Sequence, residues 1–294
     1  MPRLDRLATL YLSFPVIRLL GLQDKSRVPI LMYHSVSENL FGKSHPYYQI
    51  NTSPRIFARQ MKWLHQAGYS TLSLSQLQAA FENGDVPAKT VVITFDDGYQ
   101  DFYTDALPSL HRYDFTATVF LATGRISETP TCIEGADYMT WREVREAHAD
   151  GIEFGSHTVS HPDLRSLGPA EIEYELGYSK EKIEDELSAP VKTFAYPFAF
   201  PEEDRSFTRF LEDLLKTHGF EGGVSTILGR AGRNDNRFFM PRLPVNSWDD
   251  RDLLRAKLEG GYDWLHWPQW LYKTTHHNVP LMQRPRWIES EETK

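Results

Sequence analysis

Two adjacent carboxylates, Asp96 and Asp97, follow a β-branched and aromatic run, residues 91–95, that is typical of a strand buried on both faces. Aspartate is a poor strand residue, and a buried carboxylate without a partner is costly. Gly98 then permits a sharp turn or a close approach of the backbone to a ligand. Because Asp-Gly is also a common turn pair, the motif predicts a metal site only if further ligands accompany it.

Two histidines provide such ligands. His157 and His161 are four residues apart and follow a second apolar stretch, residues 152–154. In a helical turn this spacing places both imidazoles on one face, and Pro162 disfavours helix at His161. One carboxylate and two imidazoles match a three-ligand catalytic metal site with an open position. Two histidines and two aspartates at strand ends therefore favour a metal site over a set of structural residues.

These motifs resemble those of NodB-homology polysaccharide deacetylases, carbohydrate esterase family four. Residues 94–98, Thr-Phe-Asp-Asp-Gly, resemble the first family motif, and residues 157–161, His-Thr-Val-Ser-His, resemble the second. Residues 195–198, Ala-Tyr-Pro-Phe, are similar to the third motif, which usually begins with Arg. Residues 28–36 and 240–245 are similar to the branch that includes poly-N-acetylglucosamine deacetylases.

The resemblance implies roles that spacing alone cannot assign. Asp96 is expected to be the general base that takes a proton from the attacking water. Asp97, His157 and His161 are expected to bind one divalent metal ion. Zinc is the first expectation, and nickel, cobalt or iron are alternatives, because imidazole and carboxylate ligands accept all four.

The departing amine needs a proton, which an imidazole can donate. His34, at the end of the first predicted strand, matches the histidine that is the general acid in the poly-N-acetylglucosamine branch. The alternative is a structural histidine bonded to a backbone carbonyl. His266, His276 and His277 lie in an aromatic-rich tail without the apolar strand that precedes the late histidine of many family members.

Four further residues are predicted to bind the oxyanion or the substrate. The resemblance implies a backbone N–H near Tyr99 as oxyanion donor, and it places Pro197, Phe198 and Arg242 at the substrate site. Ala195 stands where the family usually has the Arg that orients the base. Arg242 could replace that Arg from another strand, or could form a structural salt bridge.

Apolar strand candidates alternate with amphipathic helices, which is the pattern of a parallel α/β fold. The predicted strands are residues 29–34, 90–95, 117–121, 152–156, 191–196, 240–245 and, more weakly, 223–228. The chemical residues all fall at carboxyl ends of these strands, where sites assemble in a (β/α) barrel and also in an open doubly wound sheet. The resemblance implies a distorted, incomplete (β/α) barrel of about seven strands.

The chain has 294 residues and a formal net charge of -8, which argues against a nucleic-acid partner. No linker or repeat divides it. We predict a basic and apolar N-terminal extension over residues 1–27 and a deacetylase domain over residues 28–245. An aromatic-rich extension, residues 246–294, is expected to pack on the barrel.

Residues 1–27 carry a local charge of +3, against -11 for the remainder. Their apolar run, residues 7–22, is broken by Pro15 and Arg18 and is too short to span a membrane. It could lie on an anionic membrane surface or pack against the barrel. Because no convincing signal-peptide cleavage site follows, we expect a cytoplasmic protein that could lie at the inner face of the membrane, with secretion as the alternative.

The function expected from these features is a metal-dependent hydrolase that removes N-acetyl groups from a polysaccharide or a lipid-linked amino sugar. A deformylase of a lipid-linked amino sugar, or an amidohydrolase of a small ureide, would use the same fold. A silent sugar-binding module would predict loss of the base or of a ligand. Asp96, Asp97, His157 and His161 are all present.

Overall fold

A computed structural model describes residues 3–38 and 49–275. Ten strands lie in this part of the chain: β1 Ile30–Tyr33, β2 Ser70–Leu72, β3 Thr90–Phe95, β4 Thr118–Leu121, β5 Thr131–Ile133, β6 Ala136–Tyr138, β7 Glu153–Ser156, β8 Thr193–Ala195, β9 Gly222–Leu228 and β10 Met240–Pro244. The α-helices are α1 Leu4–Ala8, α2 Phe14–Leu19, α3 Pro54–Gln66, α4 Leu74–Asn83, α5 Leu107–His111, α6 Trp141–Ala149, α7 Pro169–Leu187, α8 Arg205–Thr217, α9 Arg251–Leu258 and α10 His266–Thr275. Short π-helical turns, Thr9–Ser13 and Phe102–Ala106, join α1 to α2 and precede α5.

Seven parallel strands close into a barrel in the order β1, β10, β9, β8, β7, β4 and β3, and β3 pairs with β1. The closing register aligns Ile30 with Val92 and Tyr33 with Phe95. β2 pairs with the first half of β3 outside the ring. Closure excludes the open doubly wound sheet and confirms the distorted (β/α) barrel, which is incomplete because it has seven strands rather than eight.

Side chains alternate between the two faces of each barrel strand, and this alternation sets the position of the polar residues. Ile30, Val92 and Phe120 pack inside the barrel in a cluster that also contains Leu74 and Leu77 of α4. The intervening strand residues pack outward, in one cluster with the buried faces of α3, α6 and α7. Because Thr94 and Asp96 continue the inward series of β3, both side chains point into the barrel at its carboxyl end.

Local hydrogen bonds fix the starts of several helices. Ser73 and Thr140 both form complete capping boxes, with Gln76 and Glu143 respectively. The hydroxyl of Ser53 accepts a hydrogen bond from the backbone N–H of Ile56 at the start of α3. Such side-chain caps satisfy backbone N–H groups that a helix leaves unpaired at its first turn.

The two extensions contact each other beside the barrel. The Trp264 indole donates to the Thr9 hydroxyl over 3.2 Å, and the Tyr262 hydroxyl donates to Asp5 over 2.7 Å. Tyr262 is fully buried, whereas the Trp267 side chain is 72% exposed. Within the described part of the chain, no helix is both long enough and apolar enough to cross a membrane.

Candidate active site

The residues with predicted chemical roles meet at the carboxyl end of the barrel. Asp96 and Asp97 follow β3, His34 follows β1, and His157 follows β7. Arg242 lies within β10, at the level of Leu228 of the neighbouring β9. Parallel strands present their carboxyl ends at one rim, so residues distant in the sequence become neighbours there.

The predicted metal ligands Asp97, His157 and His161 form one cluster, whose ligand atoms all lie within 4.8 Å of one another. Asp97 Oδ1 lies 3.6 Å from His157 Nε2 and 3.4 Å from His161 Nε2. This oxygen is buried and has no hydrogen-bond partner among the described residues. An orphaned buried carboxylate oxygen facing two imidazole nitrogens fits a divalent cation, which would supply the missing partner.

A left-handed turn directs the Asp97 carboxylate. Asp97 has φ +75° and Gly98 has φ +80°, so the chain leaves the strand through two residues in a conformation that L-residues rarely adopt. A Cβ atom at Gly98 would lie 2.8 Å from the Leu121 side chain. Only glycine therefore fits at this position without displacing its neighbours.

The two histidines are held in a form that can bind a cation. His157 Nδ1 lies 2.8 Å from the Ala195 carbonyl oxygen, so Nδ1 carries the proton and Nε2 keeps its lone pair. Burial, together with the neighbouring His157, lowers the pKa of His161 to about 4, despite the opposing effect of Asp97. His161 is therefore neutral at physiological pH.

The segment between these histidines is a loop, and the predicted helical turn is wrong. Thr158 and His161 have φ of +69° and +58°, which no right-handed helix accommodates. The Thr158 hydroxyl accepts the His161 backbone N–H over 3.0 Å. The two imidazole rings are still neighbours and meet edge to face, with centroids 4.7 Å apart and ring planes at 62°.

Asp96 forms a forked ion pair with Arg242 inside the barrel. The two terminal nitrogens of Arg242 donate to the two carboxylate oxygens over 2.7 and 2.8 Å, and Nε donates to the Ser225 carbonyl over 3.0 Å. Burial by itself would raise the pKa of Asp96, but the guanidinium holds it well below its usual range. The carboxylate is thus ionised and its orientation is fixed.

This geometry corrects the prediction that Arg242 binds substrate. The Arg242 side chain is fully buried, and its nitrogens are used by Asp96, Ser225 and Thr94. Arg242 instead fixes the orientation of the Asp96 carboxylate from another strand, whereas Ala195 has no side chain that could do so.

His34 lies on the other side of Asp96, with its Nε2 3.8 Å from Asp96 Oδ2 and its side chain 20% exposed. The following residue is fixed because the Ser35 hydroxyl donates to the Asp101 carboxylate. His266 instead bonds Glu202 over 3.0 Å. His276 and His277 lie outside the described residues. Among the histidines that the structure describes, only His34 brings a ring nitrogen within ion-pair distance of the Asp96 carboxylate.

The predicted substrate residues lie at two positions of the rim. Phe198 is 45% exposed, and its ring centroid lies 4.5 Å from that of His161, whereas Pro197 is buried. The Tyr99 ring is buried against Tyr138, with centroids 5.1 Å apart. Phe198 is thus the member of this set that presents an apolar face beside the predicted metal ligands.

Sequence reasoning missed two residues of this rim. Arg125 donates to the Tyr138 hydroxyl over 2.7 Å, and Tyr138 belongs to the hairpin of β5 and β6. Neither residue carries a motif, and the hairpin has only three residues in each strand. Arg125, Tyr99 and Tyr138 all lie close enough to Asp97 to interact with its charge.

Comparisons with known proteins agree with this geometry. Residues 83–221 match the family model described as polysaccharide deacetylase. The Bacillus subtilis protein YxkH, whose name describes a polysaccharide deacetylase, is 31% identical over 228 residues, 76% of this chain and 73% of that protein. A Staphylococcus aureus poly-beta-1,6-N-acetyl-D-glucosamine N-deacetylase is 25% identical over 74% of this chain and 78% of its own length.

A solved structure extends the similarity to the fold. The Streptococcus pyogenes deacetylase PplD, in complex with acetate, is 27% identical with a TM-score of 0.67, and the match covers 80% of this chain and 100% of PplD. The chain therefore belongs to the polysaccharide deacetylase family, the NodB-type carbohydrate esterase family four, whose members are hydrolases of non-peptide carbon-nitrogen bonds.

Proposed function

We propose that this protein is a zinc-dependent deacetylase that removes acetyl groups from N-acetylglucosamine residues of a polysaccharide. The observation that supports this proposal most directly is the orphaned Asp97 oxygen facing His157 and His161, beside an ionised Asp96. The similarity to the Staphylococcus aureus enzyme supports the choice of sugar.

The residues have distinct roles in this proposal. A divalent ion held by Asp97, His157 and His161 would supply Lewis acidity at the acetamido carbonyl. Asp96 takes a proton from the attacking water, and Arg242 keeps this carboxylate ionised and correctly turned. As the carbon-nitrogen bond breaks, His34 donates a proton to the departing amine, so the products are acetate and a free amino sugar.

Two further contacts complete the site. A backbone N–H near Tyr99 stabilises the negative charge that develops on the carbonyl oxygen. The exposed ring of Phe198 offers an apolar face on which a sugar ring can stack. Zinc is preferred because two imidazoles and one carboxylate leave an open position in its tetrahedral coordination.

The direct test measures metal content and substrate range together. Purified wild-type protein should contain close to one zinc ion per chain, and Asp97→Ala should lose most of it. Release of acetate is then measured on N-acetylated glucosamine oligomers, with N-formylated sugars and a small ureide alongside. Equal metal content in the two proteins would overturn the metal assignment. Faster release of formate or of ureide products would replace the deacetylase by one of the alternative amidohydrolases.

We also propose that the N-terminal helical segment docks the protein on an anionic membrane surface, where lipid-linked amino sugars are available. Its large apolar side chains face solvent, including Tyr11 at 72%, Leu12 at 67% and Leu19 at 86% exposure. Arg18 and Lys25 are exposed in the same N-terminal region, whereas Arg3, Arg6 and Arg27 form ion pairs within the protein. This combination complements anionic lipid better than it complements a second copy of an acidic protein.

Sedimentation with vesicles tests the docking proposal. The protein should bind phosphatidylglycerol vesicles more than phosphatidylcholine vesicles, and Leu12→Ser with Leu19→Ser should reduce binding. Tyr174→Ser with Tyr178→Ser is the matched control, because both tyrosines are exposed on α7. If the leucine variant binds vesicles as well as wild type does, the proposal is overturned. It is also overturned if wild type does not bind vesicles and instead forms a dimer that the leucine variant cannot form.

A further inference from the structure

The loop between the two histidine ligands has few internal contacts of its own. Thr158 and His161 are in left-handed conformations, and the intervening Val159 and Ser160 are neither helix nor strand. Such a loop leaves backbone N–H groups that need partners from elsewhere in the protein. The partners that it finds determine how firmly the second histidine is held relative to the first.

A single carboxylate, Glu175, provides most of these partners. Its Oε2 accepts the backbone N–H groups of Val159 and Ser160 over 2.7 and 2.9 Å, and its Oε1 accepts the Ser160 hydroxyl over 2.6 Å. Glu175 lies near the middle of α7, and only 7% of its surface is exposed. Within the described residues no cation pairs with it, so the loop itself compensates the buried charge.

A second link joins α7 to the start of the same loop. The hydroxyl oxygens of Ser179 and Ser156 lie 2.6 Å apart, and Ser156 accepts the Thr158 backbone N–H over 3.2 Å. Ser179 is one turn after Glu175 and bonds the Glu175 carbonyl over 2.7 Å. One rigid helix therefore contacts the loop on both sides of Thr158.

The opposite side of the loop is bonded to the end of β4. The backbone N–H groups of Thr123 and Gly124 donate to the carbonyls of Thr158 and Val159 over 3.1 and 2.8 Å. A Cβ atom at Gly124 would lie 2.9 Å from the Val159 oxygen, so the two backbones are in close contact. The loop carbonyl groups are thus bonded by neutral backbone N–H groups, whereas the loop N–H groups of Val159 and Ser160 are bonded by the charged Glu175.

We infer that Glu175 is a positioning residue that fixes the separation of His157 and His161 and thereby sets the affinity of the site for its metal ion. Glu175 does not itself belong to the ligand cluster. The inference rests on the proposed metal site formed by Asp97 and the two histidines. Partners outside the ligand set commonly contribute 10- to 100-fold in metal affinity, roughly the effect expected here.

The experiment compares zinc dissociation constants of Glu175→Ala, Glu175→Gln and wild type, measured by competition with a chromogenic chelator. Glu175→Ala leaves two loop N–H groups unpaired, so its dissociation constant should rise roughly 10- to 100-fold. Glu175→Gln keeps a neutral acceptor, which is roughly half as strong as a charged one, so it should show a smaller rise. Glu181→Gln, an exposed change on the same helix, is the control and should match wild type.

Two readouts separate positioning from simple loss of stability. Turnover of Glu175→Ala should recover as zinc is raised to saturation, and the increase in melting temperature on adding zinc should be smaller than in wild type. If Glu175→Ala does not fold, Glu175→Gln decides, and an unchanged dissociation constant overturns the inference. If Asp97→Ala also binds zinc as wild type does, the metal site itself is wrong, which is a different result.

Discussion

Arg242 reaches across the barrel from β10 and holds both carboxylate oxygens of Asp96 in a planar fork of 2.7 and 2.8 Å. The two residues are 146 positions apart in the sequence and meet because closure of the barrel brings β10 and β3 to either side of β1. A carboxylate that is ionised and fixed in orientation is placed to accept a proton from a neighbouring water. The pair therefore links the fold directly to the chemistry.

The fork predicts that Arg242→Lys retains the charge but loses much of the activity. A lysine ammonium is a point charge and cannot reproduce two parallel hydrogen bonds while also bonding Ser225. We expect turnover to fall about 10- to 100-fold, in the range that misplacing a catalytic group produces. Arg237→Lys, at an exposed pair with Glu82, is the control. Wild-type turnover by Arg242→Lys would show that the fork does not position the base.

Removing the cation altogether should affect folding as well. Arg242→Ala leaves the Asp96 charge buried without its partner, which typically destabilises a protein by about 3–5 kcal/mol. The free energy of unfolding, from urea denaturation, should therefore fall by about this amount. The double variant Asp96→Asn with Arg242→Met removes both charges and should recover part of the loss. A single variant as stable as wild type would contradict the buried pair.

Asp96→Asn separates the base from the metal site. The amide cannot accept a proton from water, so turnover on an N-acetylated sugar should fall by at least ~10²-fold. Zinc content should stay close to wild type, because Asp96 is not one of the clustered ligands. Asp97→Asn should instead lose zinc, and its turnover should fall because the metal is lost. Near-normal turnover by Asp96→Asn would place the base elsewhere.

The clustering of Asp97, His157 and His161 could be predicted from sequence because each of these residues belongs to a short motif at a strand end. The positions of Asp97 and His157 depend only on the strand and turn in which each residue lies. Parallel strands in a barrel then bring the carboxyl ends of these strands together. The starts of α4 and α6 are also determined by local sequence, because the capping boxes at Ser73 and Thr140 depend on residues three positions away. Local signals therefore determined the parts of the prediction that held.

The missed features depend on contacts between distant segments. The three-residue strand β2 has exposed and half-buried positions and exists because β3 offers an edge for pairing. The loop at Thr158 is not helical, partly because Glu175, on another element, binds its N–H groups. No periodicity or spacing in the sequence records these partnerships. The pairing of Arg242 with Asp96 follows from the family resemblance as one of two alternatives, and no pattern in the sequence chooses between them.

Asp101 gives a prediction for the pH dependence of stability. Burial raises the pKa of Asp101 from 3.8 to about 6, although the Ser35 hydroxyl bond opposes the shift. The folded state then binds the proton more tightly than the unfolded state, so stability decreases as pH rises from about 4 to about 6. Above that range the cost is constant, at about 3 kcal/mol or less.

Asp101→Asn carries no charge at any of these pH values and should escape this loss. Its free energy of unfolding should exceed that of wild type by an amount that grows between pH 4 and pH 6.5 and is then constant. Urea denaturation across this range measures the difference. Asp85→Asn, at an exposed position on another element, provides the control. A difference independent of pH would mean that Asp101 is not the group that titrates.

The last prediction concerns His34, whose Nε2 lies 3.8 Å from Asp96 and whose side chain is partly open to solvent. If this imidazolium protonates the departing amine, His34→Ala should keep its fold and its zinc but lose turnover by about 10²–10⁴-fold on an amide. The loss should be much smaller for an activated acetate ester, because that leaving group departs without a proton. Loss of a histidine with only a structural role would lower turnover of both substrates equally.

His266→Ala is the matched control, since His266 bonds Glu202 instead of the base. An amide-selective defect in His266→Ala but not in His34→Ala would move the general acid from the first strand to the C-terminal extension.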